Sequence, residues 1–140
     1  MEHLPEFIAN NLFLFIAFII VLMLTIRAEF IHQISKTSEM SPMRATRFMN
    51  NENAVVIDVS DAADFEKGHI NNAINVPFKD LANKVPDLQK YSGKAVLTYC
   101  KSGQQSVRAC KILKKSNFSN VHTISGGLRN WMESNLPIIK

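Results

Sequence analysis

The segment LTYCKSGQQS, residues 97 to 106, places Cys100 at the tip of an apolar run and follows it with five small or polar residues. The thiolate is the reacting form of cysteine, and a free thiol is mostly protonated at neutral pH. A helical pattern begins near Ser106, so the positive end of its dipole would point toward the Cys100 sulfur. A loop of Lys101, Ser102, Gly103, Gln104 and Gln105 closing on Ser106 would aim several backbone N–H groups inward. Such a nest holds an anionic sulfur, and its small side chains leave room for an oxygen-rich anion beside it. Gly103 suits a curl that needs positive φ, and Lys101 adds a cation. The chemistry is that of an activated nucleophile; the competing reading of Cys100 is a small buried hydrophobe at a strand end.

Other reactive residues are dispersed. Cys110 falls on the apolar side of the helix that follows, where core filling competes with a resolving role toward Cys100. Two cysteines make no disulfide framework, and a cytoplasmic domain keeps them reduced. The four histidines, His3, His32, His69 and His122, show no pair at metal-ligand spacing, so no metal site is expected, and nucleophilic chemistry on Cys100 requires no cofactor. His69 reads as a structural hydrogen-bonding residue rather than a base. Asp58 reads as an anchor of neighbouring backbone rather than an acid–base group, and Trp131 as core.

The elements that must position Cys100 follow from pattern. Residues 54 to 59, AVVIDV, and 94 to 99 are near-continuous apolar runs, as in parallel strands buried on both faces. A third strand is expected over Val121 to Ile124. Helices are expected from Ser41-Pro42 to about Asn50, over Asp61 to Lys67, over 78 to 90 with a break at Pro86, over Ser106 to Lys115, and after Ser125-Gly126-Gly127. Alternation of strands and helices implies an α/β fold, a parallel sheet flanked by helices. Working sites in such folds lie beyond the carboxyl ends of the strands, where Cys100 stands.

Ahead of this domain, residues 12 to 26 carry no charge, and the apolar stretch reaches back to Phe7, interrupted only by Asn10 and Asn11. A helix from Phe7 to Ile26 would span a hydrocarbon core of roughly 30 Å. A cleaved signal peptide would want a basic start, and MEHLPEF is acidic. A buried core helix would want a polar face, and residues 12 to 24 have none. No Lys or Arg precedes the run, whereas Arg27, Lys36, Arg44 and Arg47 follow it. The N-terminus is therefore expected outside and the remainder in the cytoplasm. The expected organisation is a tail at 1–6, a transmembrane helix in contact with lipid at 7–27, a linker at 28–40 and a domain at 41–140. After residue 26 there are 16 basic and 10 acidic side chains. The only tight basic pair is Lys114-Lys115, a pattern unlike a nucleic-acid surface.

Three segments in order resemble the rhodanese-like domain. VIDVSDAADFEKGHINNAINVP, residues 56 to 77, resembles its first signature; VLTYCKSGQQS, residues 96 to 106, its active-site strand and loop; ISGGLRNWMESNLPI, residues 124 to 138, its closing Gly-Gly, Trp and Pro segment. The resemblance implies a sulfurtransferase: Cys100 takes sulfane sulfur from a small anionic or persulfide donor, holds it as a persulfide, and passes it to a thiol acceptor or cyanide. A single such domain behind a membrane helix also resembles a bacterial inner-membrane arrangement. Two departures stand out. Many loops of the family carry Arg five residues after the cysteine, where Gln105 stands, and Asp-Val-Arg at the end of the first strand is here Asp58-Val59-Ser60. Both weaken the implied grip on thiosulfate. A tyrosine-phosphatase loop, Cys-x5-Arg, would need arginine where Ser106 stands. The alternative of another class is a non-catalytic module that recruits a partner to the membrane.

Overall fold

In the computed structural model of the chain, residues 4–36 and 38–140 are described, with side chains for 7–29 and 38–140. The chain divides into two units, residues 1–36 and 37–140.

The first unit is helical. Helix α1, Leu4–Asn10, is separated by a turn at Asn11 from α2, Leu12–Lys36. The Asn11 side-chain amide donates to the Phe7 carbonyl at 2.9 Å, so the polar side chain is satisfied locally. Within α2, Leu12–Glu29 has mean hydropathy 2.4 and is long and apolar enough to cross a membrane. Its large apolar side chains are exposed, Phe13 at 82%. The helix continues to Lys36, through most of the stretch expected to be a linker.

The second unit is built on five parallel strands: β1, Glu39–Met40; β2, Val55–Asp58; β3, Ile74–Asn75; β4, Ala95–Tyr99; and β5, Asn120–Ile124. Their order is β1-β5-β4-β2-β3. Strand β4 is central and every residue in it is buried, which its unbroken AVLTY run requires. Register pairs Asp58 with Tyr99 and Thr98 with Thr123, so these polar residues gather where β2, β4 and β5 end. Glu39–Met40 pairs with Thr123 and Ile124, which makes the end of the expected linker an edge strand.

Helices cover both faces. Helices α5, Phe78–Leu88, and α6, Gln104–Lys115, contribute Leu81, Leu88, Ala109, Cys110 and Leu113 to one core with Ile57, Val96 and Val121. Helices α3, Pro42–Glu52, and α7, Gly127–Glu133, contribute Ala45 and Trp131 to the other with Val56, Leu97 and Tyr99. Ser41 caps α3 through its hydroxyl, as its sequence signature predicts, and Asn53 closes that helix in the left-handed region. Short helix α4, Ala62–Lys67, ends at Gly68. Pro86 does not break α5: it lies in the last turn, so the single ladder bond it forfeits comes two residues before the helix ends, and buried Leu88 holds that turn against the core. Helix α6 begins at Gln104, two residues before the position expected.

Candidate active site

Cys100 directly follows β4 at the carboxyl edge of the sheet and is 2% exposed. The chain then curls through Lys101, Ser102 and Gly103 into α6. Gly103 has φ 92°, so the curl uses the conformation that glycine adopts without steric cost. Its N–H donates to Cys100 Sγ at 3.1 Å. Ser106 is fully buried one turn into the helix. Its hydroxyl donates to the Gly103 carbonyl at 3.0 Å, and its Oγ lies 3.7 Å from Cys100 Sγ. The sulfur is thus flanked by an amide and a hydroxyl, both able to donate to an anion.

The curl is held from outside by α7. The N–H groups of Leu128 and Arg129, in its first turn, donate to the carbonyls of Cys100 at 2.8 Å and Lys101 at 3.1 Å. In a trans peptide the N–H points opposite to its carbonyl, so these bonds turn the Lys101 and Ser102 amides away from α7. The approach is close enough to require Gly127, at φ 62°: a Cβ there would stand 2.2 Å from the Cys100 oxygen and 2.7 Å from the Gly103 nitrogen. In the sequence the Gly-Gly pair reads as a helix start and as part of the closing segment of the resemblance; its role as the brace of the cysteine loop depends on this contact.

Beneath the loop, buried hydroxyls tie the strands together. Thr123 Oγ1 donates to the Thr98 carbonyl at 3.0 Å, and Thr98 Oγ1 lies within 3.3 Å of the Ser106 and His122 carbonyls.

Asp58 ends β2 and is buried. Its Oδ1 accepts from the Ser60 N–H at 2.8 Å and from the Ser60 hydroxyl, while its Oδ2 has no hydrogen-bond partner among the described residues. Asn75 Nδ2 donates to the Asp58 and Ser60 carbonyls, at 3.2 and 2.9 Å. Asp58 therefore anchors backbone and fixes Ser60. The Tyr99 hydroxyl accepts from the Ile70 N–H at 3.0 Å; burial, then the neighbouring Asp58 charge, push its phenol far up. His69 stacks on Phe65 with ring centroids 3.8 Å apart, and its Nδ1 lies 3.0 Å from the Phe65 carbonyl. Its backbone pairs with Ile139 through two 2.8 Å bonds, which fasten the C-terminal strand-like segment across α4.

The remaining loop residues face outward. Lys101, Ser102, Gln104 and Gln105 are exposed, the two glutamines because α6 has already begun. Lys101 borders a cleft of about 150 Å³ that also meets Ser60, Gly68 and the apolar side chains of Leu128, Met132 and Ile138. Lys67 and Asp64 at its rim form an ion pair at 3.3 Å. Cys110 is buried, with its Sγ 3.5 Å from the Val121 carbonyl, and burial pushes its thiol up.

Comparison with known proteins agrees with this architecture. Residues 41–134 match the family described as "Rhodanese-like domain". The Escherichia coli K12 "Uncharacterized protein YibN" is 33% identical over 141 residues, covering 100% of this chain and 99% of the relative. A protein named "Sulfurtransferase" from Allochromatium vinosum is 27% identical over 93 residues, covering 66% of this chain and 85% of that one. The crystal structure of a rhodanese-related protein from Thermoplasma volcanium superposes with a TM-score of 0.66 at 24% identity, covering 72% and 96% of the two chains. The chain belongs to the rhodanese-like domain family.

Proposed function

We propose that this protein is a membrane-anchored sulfurtransferase that carries sulfane sulfur as a persulfide on Cys100. The observation that carries the reading is the Gly103 N–H aimed at the Cys100 sulfur, inside a curl braced by the first turn of α7. The amide donor and the α6 N-terminus both present positive partial charge to the sulfur, where the transfer builds negative charge. The Ser106 hydroxyl, 3.7 Å away, can turn from the Gly103 carbonyl to the sulfur as negative charge appears there.

Transfer proceeds in two displacements. The Cys100 thiolate attacks the outer sulfur of a donor; the new S–S bond forms as the old one breaks, and the donor's remainder leaves with the electron pair. From thiosulfate the leaving group is sulfite. An acceptor thiolate, or cyanide, then attacks the outer sulfur of the Cys100 persulfide and regenerates the thiolate, cyanide leaving as thiocyanate. Lys101, beside the curl, draws an anionic donor toward the site. Asp58 acts by holding Ser60 and the end of β2, and His69 by fastening the C-terminal segment. The relative named "Sulfurtransferase" supports the same reading.

The anchor is α2, with lipid meeting the exposed apolar side chains of Leu12–Glu29. Arg27, Lys36, Arg44 and Arg47 follow the apolar run and none precedes it, which supports an N-terminus outside and a cytoplasmic domain. Two experiments test the reading. Cys100→Ser in the full chain should abolish thiocyanate formation from thiosulfate and cyanide while leaving circular dichroism unchanged; unaltered turnover would refute it. A C-terminal tag should resist protease added to spheroplasts, and its digestion there would reverse the orientation.

A further inference from the structure

The basic side chains of the second unit are unevenly placed. Helix α6 holds four, Arg108, Lys111, Lys114 and Lys115, and no acid. Residues 61 to 90, around the opposite edge strand β3, hold four basic and five acidic side chains, which cancel. Positions 111, 114 and 115 are three and four apart and share one side of α6. The Lys114 ammonium donates to the hydroxyl of Ser38, whose carbonyl accepts from the Thr123 N–H at 2.8 Å, so that side of α6 meets the β1 edge of the sheet. Arg44 of α3 reaches the same edge from the other face. It lies one turn before Phe48, which packs edge-on against His122 of β5 at 5.0 Å. Burial, then Lys114 and Arg44, hold His122 below its ordinary value, as two cations beside the ring must. Arg44, Lys111 and Lys115 are exposed, and none of the four bases at this edge is ion-paired among the described residues. They face one acid of β1, Glu39.

The chain enters the domain at this same edge. From Glu29, the end of the apolar window, helix α2 runs on to Lys36, about 10 Å. Two residues more reach Ser38, at most about 7 Å. The basic edge is therefore tethered within about 20 Å of the end of the apolar run, whichever way the domain is turned. We infer that Arg44, Lys111, Lys114 and Lys115 form a docking surface for anionic lipid headgroups, on which the domain rests beside its own anchor. The inference rests on the reading of α2 as that anchor and adds an electrostatic contact to it. Each basic side chain near an anionic leaflet strengthens attachment about fivefold, and the tether keeps the surface at high effective concentration. Lys114 lies ten residues along α6 from Gln104, about 15 Å, so its end of the helix is remote from the Cys100 loop. That separation exceeds the screening length, about 8 Å at physiological salt. An anionic sulfur donor thus meets Cys100 beyond the repulsive field of the headgroups.

The test is a lysine footprint of the full chain in nanodiscs of phosphatidylcholine, with and without phosphatidylglycerol. Acetylation by an uncharged succinimidyl ester is scored lysine by lysine with peptide mass spectrometry. Lys111, Lys114 and Lys115 should react at least about fivefold more slowly in the anionic discs, the factor that one such contact contributes. Lys79, Lys84 and Lys101, exposed elsewhere on the domain, should react equally in both. High salt should abolish the difference. Lys111→Glu combined with Lys115→Glu should bring the ratio at Lys114 to one, whereas arginine at both positions should preserve the protection. Equal labelling of the three lysines in the two discs, or protection that survives the charge reversal, would overturn the inference. Protection spread evenly to Lys101 would do the same, because it would mean collapse onto the lipid without a preferred face. Extraction of the chain from membranes by alkaline carbonate would sink the anchor separately. The footprint would then be taken with the chain added to vesicles of the two compositions, where protection of the three lysines keeps the docking surface and its absence sinks both.

Discussion

Replacing Gly127 with alanine tests how the cysteine loop is built. The new Cβ would stand 2.2 Å from the Cys100 oxygen, 2.7 Å from the Gly103 nitrogen and 2.9 Å from the Lys101 oxygen, all backbone atoms. Non-bonded carbon and oxygen need more than 3 Å, so loop and helix must part by about 1 Å. That movement breaks or stretches the two bonds from Leu128 and Arg129 to the loop carbonyls. Buried carbonyls left without donors cost about 1–3 kcal/mol each. The left-handed conformation at φ 62° adds about 1–2 kcal/mol for a residue with Cβ. The expected loss is about 3–5 kcal/mol once partial relaxation is allowed. A fold of ordinary stability survives this, with its loop displaced. A displacement of this size at a reacting group lowers rate by about a hundredfold. The assay follows alkylation of Cys100 by iodoacetamide in the full chain using peptide mass spectrometry, with hydrogen exchange of β4 reporting stability. Gly93→Ala is the control, because nothing lies within 4 Å of its Cβ position. Wild-type alkylation and exchange in Gly127→Ala would refute the claim that α7 holds the loop in shape.

Further expectations concern individual groups. Near neutral pH, iodoacetamide should label Cys100 well before Cys110, whose thiol is pushed up by burial; equal rates would remove the case for an activated Cys100. His122 is held below its ordinary 6.5 by burial, then by Lys114 and Arg44. The fold therefore favours the neutral ring, and unfolding takes up a proton: stability present above pH 6.5 is lost as pH falls. Protection of the β5 amides against hydrogen exchange, taken relative to the intrinsic rate at each pH, should fall on going to about pH 5.5, and His122→Gln should flatten that fall. Tyr99→Phe should cost about 1–3 kcal/mol, because the Ile70 N–H loses its acceptor, and unchanged exchange of β2 and β4 would contradict it.

Much of the fold was legible because its signals are local. The runs at 55–57 and 95–97 are apolar because both faces of β2 and β4 are covered, and Ser41-Pro42 carries the start of α3 in adjacent residues. Strand β1 falls within the expected linker because two residues carry no periodicity and its pairing with Thr123 and Ile124 is remote in sequence. The sequence pattern puts the start of α6 late because Gln104 and Gln105 are polar; Gly103 in the left-handed region sets that start, and only the backbone reveals it. The same shift turns the two glutamines out to solvent, so the loop reduces to Lys101, Ser102 and Gly103. The brace from Gly127 and the apolar wall of Leu128, Met132 and Ile138 arise from segments far apart in the chain meeting at one edge of the sheet. No local pattern encodes such a meeting.

The central claim is that Cys100 holds transferable sulfur, and intact-mass spectrometry addresses it most directly. The full chain, reduced and held in nanodiscs, would be incubated with benzenethiosulfonate or with cysteine persulfide, beside Cys100→Ser, and then treated with cyanide. The account requires a gain of one sulfur atom on the wild type alone, lost again to cyanide with formation of thiocyanate. An unchanged mass with both donors, or the same gain on Cys100→Ser, would contradict it and leave the non-catalytic module as the better reading.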